Sequence, residues 1–391
     1  MTFNFRSIPI GELCQGIYDG PHATPAPSDS GAIFLGISTF VNGKLNLSPS
    51  NIRYISEEDY PKWTKRVTPK AHDIVFSYEA TLNLYAIIPD GFRGCLGRRM
   101  ALMRPDEGVV DYRFLYYYMF SPAWREEVER YKVNGSTVDR IPLVSFPSFR
   151  VDLPNMRTQK AIADILFAID QKIDSNSRVN DNLEQQAAAL FSSLYNRSNT
   201  EVRYTDLIQI LGGGTPKTGE TAYWNGNIAF FTPKDVGTPY TFITEKTITE
   251  EGLSHCNSRL YPVNTVFVTA RGTVGKVGLS GVPMAMNQSC YALVGKETHQ
   301  LLVYFYTLKA VDRLKHKASG AVFDAITTRD FDSEQIMKLS DDDAKAFLCV
   351  AEPMFQEILN NSIENLRLST LRDFLLPKLM SGEIDVSSVQ L

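Results

Sequence analysis

Apolar residues recur at steps of three and four along two stretches of the chain that lie 185 residues apart. The first runs Ile162, Ile165, Ile169, Ile173, Asn176, Asn180, Leu183, Ala187, Leu190, Leu194. The second runs Phe347, Val350, Met354, Ile358, Asn361, Asn365, Leu368, Arg372, Leu375, Leu379. This heptad-like spacing predicts two long helices, and the apolar stripe of each needs a partner. The other helix of the same chain is the obvious one. Two asparagines interrupt the middle of each stripe. In an antiparallel pair Asn176 would face Asn365 and Asn180 would face Asn361, so that the amides satisfy one another and fix the register; the alternative is that they face solvent. Pro353 and Pro377 fall inside the second stretch, where a kink or break is expected. A helix of roughly 33 residues spans about 50 Å. Antiparallel packing would place whatever precedes each helix at opposite ends, about a pseudo-twofold axis.

Those preceding regions alternate on a shorter period. Ala32–Ile37, Ile74–Phe76, Leu84–Ile88 and Met100–Met103 read as strands, with a hairpin turn at Asn42-Gly43. Ile228–Phe231, Thr265–Thr269 and Tyr291–Val294 read likewise. Each region also holds one aromatic helix, Tyr112–Phe120 and Leu301–Leu308, whose tyrosines at 116–118 and at 304 and 306 are placed in the core. The expected fold is α+β: two similar domains, 1–155 and 196–340, each followed by a long helix, 156–195 and 341–391.

The similarity of the two halves is an internal repeat. Asn134-Gly135 through Ile141 matches Ser319-Gly320 through Ile326, and the offset of 185 then holds through Leu194 and Leu379. Upstream the offset drifts: Thr24-Pro25 against Thr215-Pro216, Ile55 against Ile248, Ser77 against Thr269. The helices keep register while the front parts differ by small insertions. Two domains of shared fold that recognise different things would look this way.

Composition narrows the function. Of 391 residues 43% are hydrophobic and 21% charged, as in an ordinary globular chain with a core. Net charge is −4 overall, and residues 341–391 alone carry −5, so the acidity sits in the second helix. Five cysteines (Cys14, Cys95, Cys256, Cys290, Cys349) form no CxxC; neither a disulfide framework nor a zinc ribbon is expected, and a reducing cytoplasm fits best. No secretion signal and no apolar run of about 18 residues is found, so no membrane association is expected. A base methyltransferase needs an Asn/Asp-Pro-Pro-aromatic motif and a Gly-rich cofactor loop, and neither is present. Gly212–Gly219 lacks the P-loop spacing, and Pro216 removes a backbone donor. The five histidines show no metal-ligand spacing. No catalytic centre, cofactor or metal is expected.

Gln159–Leu166 with Ala168–Ile173, and Leu371 through Leu375-Leu-Pro-Lys-Leu-Met-Ser-Gly-Glu, resemble the conserved helices of the specificity (S) subunits of Type I restriction–modification systems. Gly213-Gly-Thr-Pro216, Tyr223-Trp-Asn-Gly226, Thr232-Pro-Lys-Asp-Val236 and Asn287-Gln288 resemble a target-recognition domain of that family. Gly20–Pro25 is a weaker form of the same opening. The resemblance covers nearly the whole chain. It implies a DNA recognition subunit reading a bipartite site on double-stranded DNA. It further implies helices that set the gap and dock two methyltransferase subunits, with restriction and motor subunits completing the complex. A fused methyltransferase and a coiled-coil protein adaptor are the alternatives.

Contacts to DNA need cations for phosphates and planar or amide groups for base edges. In the second domain Lys234, Arg271 and Lys276 lie among Thr and Gly in loops, and Asn287 and Gln288 offer amide pairs for adenine. In the first, Lys62, Lys65, Arg66 and Lys70 form one basic cluster and Arg93, Arg98 and Arg99 another. Each also fits a solvated surface charge, and Asn287-Gln288 fits a tied-down strand end. Lys309, Arg313, Lys315 and Lys317 extend a helix toward phosphate or a partner. Trp224 is read as core.

Overall fold

The computed structural model describes residues 5–133, 138–317 and 325–386. The first segment of the repeat, 134–137 and 318–324, lies outside them. The chain forms two compact units, residues 1–173 with 367–391 and residues 174–366.

In the first unit, Arg6–Pro9 pairs antiparallel with Arg150–Leu153 and so closes the domain end to end. A four-stranded antiparallel sheet has the order Cys14–Asp19, Met100–Pro105, Ile74–Ser77, Tyr85–Ile87. A second sheet joins Arg53–Ile55, Ala32–Leu35 and Gly94–Leu96, the last two in parallel. The Asn42-Gly43 turn closes a hairpin pairing Val41 with Lys44, and both turn residues have positive φ (50° and 79°), as a type I′ turn requires. Helix Tyr112–Tyr118 is capped by Asp111, whose carboxylate accepts from the amides of Arg113 and Phe114. Tyr116, Tyr117 and Tyr118 are buried. Helix Pro122–Tyr131, which the periodicity does not announce, starts on the Ser121 cap with proline at its first position.

The second unit repeats the plan. Thr200–Arg203 pairs with Gln335–Lys338. Five strands follow in the order Ile208–Gly212, Cys290–Gly295, Val266–Thr269, Val277–Ser280, Tyr240–Thr241. A three-stranded sheet holds Lys246–Ile248, Trp224–Phe231 and Met284–Met286. Helix Gln300–Lys317 is about twice as long as its aromatic run suggests, because Lys309 through Lys317 continue it.

The two long helices are Met156–Arg197 and Asp341–Met380. They pack antiparallel. In the second unit Asn176 Nδ2 donates to Asn365 Oδ1 (2.9 Å), and Asn361 Nδ2 donates to Asn180 Oδ1 (3.0 Å). Further along, Arg197 Nη2 bonds Asp343 Oδ1 at 2.6 Å. In the first unit Ile162 and Leu166 share a core with Leu376 and Leu379. There Arg372 Nη1 bonds the buried Asp170 Oδ1 at 2.8 Å, and the Tyr117 hydroxyl donates to Asp170 Oδ2 at 2.7 Å. Burial and this carboxylate push the tyrosine well above its ordinary range.

Two expectations change. The second helix runs unbroken through Pro353 and Pro377. Val350, placed in the stripe, is 44% exposed. The buried positions near each helix start step by four: Ile162, Leu166, Asp170 and Phe347, Ala351, Phe355. The stripe therefore passes one residue beyond Val350.

Candidate nucleic-acid interface

In the second domain three loops at one end of the sheets converge. The strand Trp224–Phe231 runs into Thr232-Pro-Lys-Asp235, where Asp235 Oδ2 accepts from the Thr232 amide (2.8 Å) and hydroxyl (2.6 Å) and Oδ1 accepts from the Glu245 amide (2.8 Å). Strand Val266–Thr269 runs into Ala270–Lys276, whose Gly272 sits at φ +80°. Thr273 Oγ1 donates to Pro233 O at 2.9 Å and ties the two loops together. The third loop is the Asn287-Gln288-Ser289 turn. Asn287 Oδ1 accepts from the Ser289 amide at 3.0 Å, and Gln288 Oε1 accepts from the Thr215 hydroxyl. Both amide oxygens are thus engaged in holding the turn. Among the described residues neither amide NH2 has a protein partner.

Together these loops line a cavity of about 480 Å³ that includes Lys234, Lys246, Arg271, Asn287 and Thr273. Lys234 lies 3.7 Å from Glu245, a loose and exposed pairing. Arg271 is exposed and, among the described residues, has no carboxylate partner. Lys276 is exposed beyond this cavity, its backbone amide held by Thr269 Oγ1 at 2.9 Å. Lys246, not picked out by sequence, sits 5.6 Å from the ring centroid of Trp224. Its signal was slight: one cation at the head of a three-residue strand. Trp224 is half-buried and packs beside Ile228 and Phe230.

The first domain divides its cations. Arg66 pairs with Asp19 and donates to Gly20 O at 3.3 Å. Arg98 is exposed, and Arg99 Nε lies 3.3 Å from Glu79 Oε1. The Tyr78 hydroxyl lies 3.4 Å from His22 Nδ1, within the electrostatic reach of Arg66 and Arg98. Burial, with Asp19 and Glu79, raises that tyrosine's pKa, and the two arginines oppose the rise. Arg93 is drawn elsewhere: both terminal nitrogens bond Glu57, and the guanidinium lies 4.4 Å from the Tyr60 ring centroid. Lys62, Lys65 and Lys70 are exposed. Of the cations late in helix Gln300–Lys317, Lys315 is exposed and the other three bond the protein itself. Arg313 (2.8 Å) and Lys317 neutralise the buried Glu334, and Lys309 donates to Ser192 Oγ at 3.2 Å.

No group of His, Cys, Asp or Glu among the described residues has metal-binding geometry, and no helix among them is long and apolar enough to cross a membrane. The glycines that permit the loops to meet are demanding. A Cβ on Gly213 would lie 2.2 Å from Asn287 O, and one on Gly20 would lie 2.5 Å from Gly97 O.

Comparison with known proteins gives this architecture its place. The family described as "Type I restriction modification DNA specificity domain" matches residues 25–185 and again 196–338. The chain is 24% identical to the Type I restriction enzyme HindI specificity subunit of Haemophilus influenzae, over 90% of this chain and 94% of that one. It is 32% identical to the MjaIX specificity subunit of Methanocaldococcus jannaschii over 30% of this chain and 29% of that one. Its fold is that of the crystal structure of a Type I restriction-modification S subunit from M. genitalium (TM-score 0.61, 15% identity, 96% of both chains). Two α+β heads with a long antiparallel helix pair define a DNA sequence-recognition protein of the non-catalytic kind. The chain belongs to the Type I restriction modification DNA specificity domain family, with two target-recognition domains, and is a specificity subunit, part of a Type I restriction–modification complex.

Proposed function

We propose that each recognition domain reads one half of a bipartite site on double-stranded DNA, and that the helix pair sets the gap between the halves. In the second domain Lys234 and Lys246 meet phosphates while Arg271, Asn287 and Gln288 reach base edges; Lys276 extends the phosphate track. In the first, Arg66, Arg98 and Arg99 take these parts, with Lys62, Lys65 and Lys70 as outlying phosphate contacts. Arg93 serves the fold through Glu57. The observation that carries the reading is the convergence of three loops, bound to each other, on one cationic concavity at a sheet end. Rigid loops with an unpaired guanidinium and free amide donors suit direct readout.

The helices dock two methyltransferase subunits, which supply the S-adenosylmethionine chemistry, and restriction subunits join the complex in the cytoplasm. The amide contacts of Asn176, Asn180, Asn361 and Asn365 fix the helix register. Methylome sequencing of the source strain with and without the gene tests the reading. A two-part motif that disappears with the gene is expected; an unchanged methylome would refute it. A footprint of the assembled complex separates this from a protein adaptor, which would protect no DNA.

A further inference from the structure

Around the loops at one sheet end the two recognition domains correspond residue by residue through their hydrogen bonds. Thr269 pairs with Cys290 across the second domain's sheet, and Ser77 pairs with Met100 across the first. The Cys290 amide donates to Asn287 O at 3.3 Å, and the Met100 amide to Gly97 O at 3.3 Å. Ala270 N donates to Ser289 O (2.8 Å), as Tyr78 N does to Arg99 O (3.1 Å). The hydroxyl of Thr269 bonds Thr273 O as that of Ser77 bonds Thr81 O. Arg271 bridges Ala325, and Glu79 bridges Arg140. These bonds of the platform recur in both domains.

What stands on the platform differs. The position of Arg271 holds Glu79 in the first domain. The positions of Gln288 and Ser289 hold Arg98 and Arg99. At these matched positions each domain therefore carries one exposed arginine without a carboxylate partner among the described residues, but on different loops: Arg271 after strand Val266–Thr269, Arg98 in the turn before strand Met100–Pro105. Glu79 cannot take Arg271's part, and it holds Arg99 instead. The first domain also fixes its loops in left-handed backbone without glycine, at Ala80 (φ 70°) and Arg99 (φ 73°), where the second uses Gly272 for the former. Such conformations persist where surrounding contacts over-determine them.

We propose that Arg98 and Arg271 are the guanine-reading residues of the two halves, one each, with the reader moved from one loop to its neighbour between domains. A guanidinium fork matches guanine O6 and N7 in the major groove, which an amide or a carboxylate does not. This rests on the reading of two half-sites above. Each half of the recognised motif then contains a guanine whose identity depends on a single arginine.

The test uses the full chain assembled with its methyltransferase partners, read out by the methylated motif. Arg98→Gln relaxes one guanine in one half of the motif and leaves the other half strict. Arg271→Gln does the same in the opposite half. Discrimination at the affected position falls roughly 5- to 150-fold, the worth of one bidentate pair. Arg98→Lys and Arg271→Lys keep the charge but lose the fork, so methylation persists with the same position relaxed. If either residue only grips phosphate, its variants lower methylation evenly across sites and relax nothing, and the assignment falls. It falls equally if both variants relax the same half. A wild-type complex that yields no two-part motif would instead refute the parent reading.

Discussion

Replacing Arg372 by methionine removes the cation from Asp170 while keeping most of the stem that covers it. Asp170 is 6% exposed, and its remaining partner is the Tyr117 hydroxyl, itself within a residue that is 2% exposed. A carboxylate left buried without its cation costs about 3–5 kcal/mol. The Arg372 side chain is 26% exposed, so water reaches the pair and the lower end, about 3 kcal/mol, applies. Domain stabilities are commonly about 5–15 kcal/mol, so this is a large share. With two units in one chain, a global midpoint would blur the effect. Amide hydrogen exchange of residues 156–173 under native conditions reads the first unit directly. Arg372→Met should speed exchange of its most protected amides by about 150-fold, at 1.4 kcal/mol per tenfold. Removing Asp170 as well (Asp170→Leu) should restore part of the loss, and adding Tyr117→Phe should restore more, since the tyrosine hydroxyl loses its acceptor at a cost of about 1–3 kcal/mol. Additive single and double variants, or an Arg372→Met effect below about 0.5 kcal/mol, would refute the claim that the pair is coupled and buried.

Glu184 has its pKa raised, chiefly by burial and further by Asp181, with the Tyr304 hydrogen bond opposing. A carboxylate raised on folding favours the native state most below its unfolded pKa, and this contribution is lost as pH rises through the folded value. Glu184→Gln should therefore stabilise the second unit at neutral pH and flatten its urea midpoint against pH above about 4.5; a destabilised variant would contradict this. Burial pushes the thiols of Cys14, Cys95 and Cys290 up to about 12, whereas Cys349 is exposed. A thiol reagent at neutral pH should label Cys349 first and these three only after unfolding, as peptide mapping will show. Gly213→Ala drives a Cβ to 2.2 Å from Asn287 O. It should displace the Asn287 turn and weaken DNA binding roughly 5- to 150-fold, a displaced base-reading group being worth about 1–3 kcal/mol. Unchanged affinity in a mobility-shift assay of the complex would count against the turn's role.

The helix pair was legible because a stripe of alternating threes and fours has no other use for its apolar residues, and two asparagines at matching depths announce each other. Asp170 was not legible. A charge in an amphipathic helix reads as a solvated face, and it is Arg372, 202 positions away, together with the Tyr117 hydroxyl, that makes it an inner residue. Val350 failed for the complementary reason: an apolar residue at the expected step, displaced by a stretch that steps in fours. Short strands such as Cys14–Asp19 and Val277–Ser280 escaped because glycine and full burial erase alternation. In the candidate interface, residue types pointed to Lys234, Arg271 and Asn287, which one cavity collects. Arg93 looked equivalent to Arg98 in sequence, and nothing nearby betrays Glu57 as its bidentate partner 36 positions back.

A chain made of two related halves carries an ambiguity: each stalk resembles its sibling closely enough to clasp a copy of itself. The asparagine quartet does not resolve this, since the repeat maps Asn176 and Asn180 onto Asn361 and Asn365 and any combination can exchange amides. Asp170 against Arg372 does. Their counterparts 185 positions away are Phe355 and Ala187, so clasping like with like would strand a carboxylate opposite a methyl group in one case and a guanidinium opposite a phenyl ring in the other. One asymmetric ion pair thereby tells the molecule which stalk is its own mate.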